Sequence, residues 1–181
     1  MKRYGRLLMA SLLVFALVFT LVGCGGGQAE KKVLRAGTNA TFPPFEMQEN
    51  HEFTGFDMDL IRAIGEEQGY QVEIKHMDFK ALIPALGNDK IDVAIAGMSI
   101  TPDRLKSVDF SEPYFDAGLI IAVADTNTTI KSTADLKGKK LAAQNGTTGA
   151  AYCEQIKQQD PTTEVRIFDD IGAAFMELEK G

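Results

Sequence analysis

From Val33 onward the chain alternates short apolar stretches of period two with longer ones of period near 3.6. "VLRAGTN" (33–39) predicts a strand, followed by the turn-rich "ATFPPFE". "FDMDLIRAIGEEQGY" (56–70) predicts a helix with Phe56, Leu60, Ile61 and Ile64 on one face. Its Asp57 and Asp59 fall in the first turn, where carboxylates suit the helix dipole. Val72 and Ile74, followed by His76, alternate as a strand in "QVEIKHM" (71–77). "FKALIPALGND" (79–89) reads as a short helix with Pro84 inside, and "IDVAIAG" (91–97) as a continuous apolar strand. The order β-α-β-α-β predicts a mostly parallel sheet covered by helices.

"AGLIIAVAD" (117–125) reads as another buried strand, after which the pattern restarts. "STADLKG" (132–138) offers a Ser132 or Thr133 cap with Asp135 just inside. "KKLAAQNG" (139–146) reads as a strand, "TTGAAYCEQIKQQ" (147–159) as a helix, "TEVRIFD" (163–169) as a strand and "DIGAAFMELEKG" (170–181) as a helix. Two successive α/β units predict two lobes, 33–116 and 117–181, joined near residues 114–121. Only two clear strands fall in the second, and a two-stranded sheet rarely suffices for a lobe. The expectation is therefore a truncated chain with an incomplete second lobe.

Residues 1–23 stand apart. Lys2, Arg3 and Arg6 precede an apolar run of sixteen residues, "LLMASLLVFALVFTLV", too short for a comfortable bilayer span and built like a secretory signal. Leu21-Val22-Gly23-Cys24 resembles the lipobox of bacterial lipoproteins. That resemblance implies that Cys24 carries lipid, palmitate included, and becomes the first mature residue. Residues 24–32, with "GGGQAEKK", would then form a flexible tether, and the protein would work outside the cytoplasm beside a membrane.

Without residues 1–23 the chain keeps 16 Lys and Arg against 25 Asp and Glu, a net charge of −9. An acidic body with no basic run is a poor partner for nucleic acid. With Cys24 lipidated, Cys153 is the remaining cysteine, so no internal disulfide is expected. With only His51 and His76 besides, neither a metal site nor a cofactor is expected.

In open α/β sheets ligands sit beyond the carboxyl ends of the strands. That rule selects the loops "TNATFPPFE", "MDFKAL" and "GMSITPDR". Phe42 and Phe79 offer flat apolar faces, Asn39 a neutral donor and acceptor, and Ser99 and Arg104 groups suited to an anion. A planar guanidinium can hold a carboxylate through two parallel hydrogen bonds. Each residue also has a plainer use: Arg104 could pair with Asp103, Asp109 or Glu112, Ser99 could cap a turn, and Phe42 and Phe79 could be core, where Phe45 is assigned.

"AGTNATFPPFE", "GFDMDLIRAIGEEQGY", "MDFKALIPAL", "DVAIAGMSITPDRLKSVDFSEPYF" and "KKLAAQNGTTG" together resemble the polar amino-acid-binding extracellular solute-binding proteins that feed ABC importers. The resemblance runs from about Val33 to Gly181 and implies a bilobed, type II periplasmic-binding-protein fold. It also implies roles. Phe42 and Phe79 bracket the ligand side chain, and Asn39 reads its distal end. The carbonyl of Gly97 meets the α-amino group, Ser99 contacts amino and carboxylate groups, and Arg104 clamps the α-carboxylate. Thr147 and Thr148 face the same carboxylate from a helix N-terminus.

Family members usually carry an acidic residue later in the second lobe that pairs the α-ammonium; none of Asp169, Asp170, Glu177 or Glu179 stands at that place. The implied partners are a small polar amino acid and a membrane permease, with the protein monomeric. Two rivals use the same scaffold. A cyclohexadienyl dehydratase-like enzyme would need a general acid from Glu46, Asp78, His51 or His76, none of them marked by the sequence as buried. The other rival is an amino-acid-sensing module.

Overall fold

The structure, a computed structural model, describes residues 32–181; the expected signal (1–23), Cys24 and nearly all of the expected 24–32 tether lie outside the described residues. Strand β1 (Lys32–Thr38) is the centre of a parallel sheet, with β5 (Tyr70–His76) on one side and the short β6 (Val93–Ala94) on the other. The register runs from Lys32 opposite Tyr70 to Thr38 opposite His76, while Ala36 and Gly37 face Val93 and Ala94. The expected continuous strand over 91–97 is thus two residues of ladder. Bonds from Asp92 N to Arg35 O and from Ile95 N to Gly37 O extend it by a residue at each end.

Helix α1 (Phe56–Glu67) leads into β5 and lies on that sheet through Met58 and Ile61, which share a core with Ala36 and Ile95. The expected face was only partly right. Ile61 is buried, but Phe56 and Ile64 are exposed, and the inward line is Asp57, Met58, Ile61 and Gly65. Gly65 sets this rotation: a Cβ there would stand 2.3 Å from a Val72 methyl, so the helix rests on β5 at the one residue without a side chain. Helix α2 (Leu82–Gly87) follows a 3-10 turn at Phe79–Ala81. Pro84 sits in its first turn, where a missing N–H costs nothing, and Leu82 and Ala85 pack on Ile91 and Ala96 in a second core.

The segment expected as plain turn between β1 and α1 carries three short antiparallel strands, β2 (Thr41–Phe42), β3 (Glu46–Glu49) and β4 (Glu52–Thr54). Asn50 and His51, both at positive φ, make the β3–β4 turn. Two mirror-type turn residues match the twist of the flanking strands.

Beyond residue 125, β7 (Lys140–Gln144) and β8 (Glu164–Phe168) pair in parallel, with helix α3 (Thr148–Gln159) between them and α4 (Ile171–Lys180) after them. Thr147 caps α3 by accepting from Ala150 N at 3.1 Å, and Asp170 caps α4. A reciprocal Ser132–Asp135 box opens the 3-10 turn at Thr133–Leu136, as expected. The strand expected at 117–125 is absent. That stretch makes no ladder, and Leu119 and Ile120 stand 61% and 91% exposed. Its composition shows that it could bury apolar surface, but among the described residues no strand lies beside it.

Candidate functional site

The loops that leave β1, β5 and β6 at their carboxyl ends converge, and the turn between β7 and α3 meets them. Arg104 is at the centre. It starts a 3-10 turn (Arg104–Lys106), with its backbone N–H donating to Thr101 Oγ1 at 3.3 Å. Its guanidinium donates to the Ser99 carbonyl at 2.7 Å and to the Gly146 carbonyl at 3.0 Å, and lies 5.4 Å from the centre of the Phe79 ring. A stacked cation gains from the negative face of the ring.

None of the proposed acidic partners holds it. Asp103 pairs with Lys106 at 2.6 Å, and among the described residues no carboxylate forms an ion pair with Arg104. Burial alone acts on its pKa, lowering it. Two of its five N–H groups are taken by carbonyls, and the others are available to an anion.

The turn at Gly146 is built for this approach. Gly146 has φ +78, and a Cβ would meet the Lys80 Cα at 3.0 Å, so backbone lies against backbone there. Thr147 and Thr148 follow directly. The Thr147 hydroxyl already serves the helix, donating to Gln144 O at 2.7 Å while accepting from Ala150 N. Thr148 opens the first turn of α3, half-buried.

The remaining expected residues are placed as follows. Gly97, at φ +54, follows β6, and the Phe42 ring passes within 3.8 Å of where its Cβ would be. Phe42 is 45% exposed and stacks on Phe45 at 5.8 Å, so it is not core. Phe45, assigned to core, is only half-buried, within a cluster with Phe56 and Phe115. Ser99 is exposed and gives Arg104 its carbonyl.

Asn39 is 4% exposed and held by the protein through both ends of its amide. Its Nδ2 donates to Met77 O, and its Oδ1 accepts from Thr41 Oγ1 and, at 2.8 Å, from Gln144 Nε2. Gln144 was not anticipated. The signal available for it was a polar side chain ending the strand of the "AAQNG" turn. Lys80 and Asp169 add a 2.6 Å ion pair close by, with Asn145 also donating to Asp169.

A second group missed by sequence reasoning lies behind Gly97. Asp57, which the helix dipole seemed to account for, is wholly buried, and its Oδ2 accepts from Gly97 N at 2.9 Å and from the Tyr114 hydroxyl at 3.0 Å. Glu46, 1% exposed, faces Asp57. Burial first, then the Asp57 charge, then a hydrogen bond between the two carboxyls push its pKa up to about 9. The expectation that nothing marks Glu46 as buried is therefore corrected. The other proposed general acids are exposed: His51 in the β3–β4 turn, Asp78 before Phe79, and His76 at the end of β5, where its Nδ1 accepts from Ala40 N.

The fold and these loops define an α/β protein whose strand ends meet at an anion-ready guanidinium stacked on an aromatic ring. The model of bacterial extracellular solute-binding proteins, family 3, matches residues 34–178, and the chain belongs to that family. It is 40% identical over 146 residues to the arginine-binding extracellular protein ArtP of Bacillus subtilis (strain 168), covering 81% of this chain and 57% of that protein. It is 38% identical to the ABC transporter arginine-binding protein 1 of Escherichia coli (strain K12), covering 93% of this chain and 67% of that protein. Among solved structures, an ancestral arginine-binding protein bound to arginine superposes with a TM-score of 0.79 at 49% identity, over 82% of this chain and 66% of that one. The chain thus spans between 57% and 67% of the length of these relatives.

Proposed function

We propose that this chain supplies the α-carboxylate clamp and side-chain walls of a cleft that captures a polar amino acid for an ABC-type importer. The observation that carries this reading is Arg104, a half-buried guanidinium held by two backbone carbonyls over an aromatic ring with no carboxylate partner among the described residues. A cation placed so invites an anionic ligand, because a desolvated charge gains most from pairing. Gly97 receives the ammonium end, Ser99 contacts both ammonium and carboxylate, Phe42 and Phe79 flank the side chain, and Thr147 and Thr148 approach the carboxylate from α3. Asn39, tied to Gln144, meets the distal end.

The names of the relatives favour arginine as the first cargo to try. Residues 33–116 would act as the first lobe and 117–181 as the hinge and part of the second. Ligand would shift an equilibrium towards the closed form through contacts made only there. Cys24, lipidated after removal of residues 1–23, would anchor a monomer on the outer side of the membrane, within reach of the permease. The arrangement needs no covalent chemistry, which favours capture over the dehydratase alternative.

Thermal unfolding with each of the twenty amino acids at millimolar concentration tests the reading. A ligand at a hundredfold excess over its Kd stabilises by about 2.7 kcal/mol. A raised midpoint with one polar amino acid, lost in Arg104→Ala, is the expected result. The same shift in both proteins would overturn the site.

A further inference from the structure

We propose that Asp57 is a positioning residue for the cleft: its buried carboxylate, completed by the Glu46 carboxyl, fixes the strand-end Gly97 and docks Tyr114 behind it. This inference rests on the reading above, in which Gly97 turns its carbonyl to the ligand ammonium.

Two donors close on one oxygen. Gly97 N–H reaches Asp57 Oδ2 at 2.9 Å and the Tyr114 hydroxyl oxygen at 3.2 Å, and the Tyr114 hydroxyl donates to the same Oδ2 at 3.0 Å. The residues come from the start of α1, the end of β6 and the run leading to residue 117. One carboxylate thus ties together the cleft wall and the chain that leaves it. Gly97 sits at φ +54, a conformation that a strand does not impose and that something must hold. Pinning its N–H inward fixes one side of the residue, and the left-handed backbone then sets where its carbonyl points.

The second carboxyl makes this arrangement tenable. Asp57 Oδ1 and Glu46 Oε2 are both buried, and among the described residues neither has a donor beside it while both carboxyls are ionised. A proton held by Glu46 and donated to Asp57 changes that count, since a protonated carboxyl is a donor. Two charged carboxylates in one dry site repel, so such pairs share a proton. The titratable groups acting on Glu46 reduce to Asp57, and those acting on Tyr114 to Asp57 and Glu46; burial raises the Tyr114 pKa most, and both carboxyl partners raise it further. Among the described residues no Lys, Arg or His relieves the pair. Loss of the Glu46 proton therefore loads a second charge onto the oxygen cage around Gly97.

The test uses ¹H–¹⁵N spectra and amide exchange of the full chain, without added amino acid, from pH 6 to 10. The Gly97 amide signal should titrate in the wild type and stay flat in Glu46→Gln, whose amide still donates to Asp57. In Asp57→Ala, Gly97 exchange should quicken by about tenfold or more, the factor that a hydrogen bond to a charged group carries, while the β7 amides hold. If that variant does not fold, Tyr114→Phe replaces it: Gly97 exchange should stay slow, since the direct Asp57 bond survives, but its pH midpoint should move.

A Gly97 amide indifferent to pH and to these changes overturns the proposal. A second arm measures binding of arginine against 5-guanidinopentanoate, which lacks the α-amino group. Asp57→Ala should shrink the ratio of the two affinities, whereas a residue with only a folding role would weaken both alike. If the wild type binds neither, the functional reading fails, and the amide arm still decides the role of Asp57.

Discussion

Replacing Glu46 by Gln should make the stability of this protein less dependent on pH. The folded-state pKa of Glu46 is raised from 4.5 to about 9. Between those values the native state therefore holds a proton that the unfolded chain has lost. Stability changes with pH in proportion to protons bound by the unfolded state minus those bound by the native state. That difference is close to −1 here, so the contribution of Glu46 is full below about pH 4.5 and falls as pH rises, until it levels off near pH 9. The slope is about 1.4 kcal/mol for each pH unit. It does not depend on the upper value so long as the measurement stays below it. From pH 6 to pH 8, Glu46 alone should remove about 2 to 3 kcal/mol of stability from the wild type. The glutamine side chain of the variant cannot ionise and should contribute no slope, so the difference between the two proteins isolates the group. Urea unfolding followed by far-UV circular dichroism at the two pH values measures it. Parallel pH dependence in both proteins would refute the reasoning, because Glu46 would then be no more proton-rich in the fold than in the unfolded chain.

Other consequences are testable by the same means. Thr147→Ala removes the cap that accepts Ala150 N–H and should cost about 1 kcal/mol in urea unfolding; an unchanged midpoint would mean that α3 starts elsewhere. Gly55→Ala should be far more damaging, costing about 3 kcal/mol or more, because a Cβ at φ +115 would lie 2.4 Å from the Phe45 carbonyl oxygen. Asp92 accepts from the Arg35 side chain through both its oxygens and from Arg35 N, and Arg35 holds its pKa down at about 2. Its stabilisation is present above about pH 4 and is lost as pH falls towards about 2. Asp92→Asn should therefore lower Tm at pH 6 and leave a shallower acid limb, and an unaltered limb would count against the pairing.

The elements with strong periodicity were legible in the chain. The strands at 33–39 and 71–77, and the helices at 56–70 and 147–159, stand within a residue or three of where the pattern puts them. What was not legible depended on partners distant in sequence. "AGLIIAVAD" has the composition of a buried strand, yet pairing is a property of two segments and the pattern reports one. Asp57 looked like an exposed dipole partner because helical periodicity assigns faces to apolar residues. A carboxylate turned inward becomes reasonable only when Gly97 and Tyr114, 40 and 57 residues away, arrive to donate to it. The same holds for Gln144, whose partner Asn39 lies 105 residues back. Arg104 could be singled out from its loop, but the absence of a competing carboxylate among the described residues is knowledge of three dimensions.

The bonds from Gln144 to Asn39, from Arg104 to the Gly146 carbonyl, and between Lys80 and Asp169 join residues on either side of the 117–125 run. All three are made by the protein's own atoms. A binding protein loses apparent affinity whenever its competent state is a minor one, in proportion to that state's population. On the reading proposed above, self-made contacts between the two sides would reduce this loss for every cargo equally, since none of them depends on what is bound. They would raise affinity without sharpening choice. Discrimination among amino acids would then come from the few groups that only the ligand can satisfy. If the chain works as proposed, a permease that reads the closed shape would also meet some protein that closed with nothing to deliver.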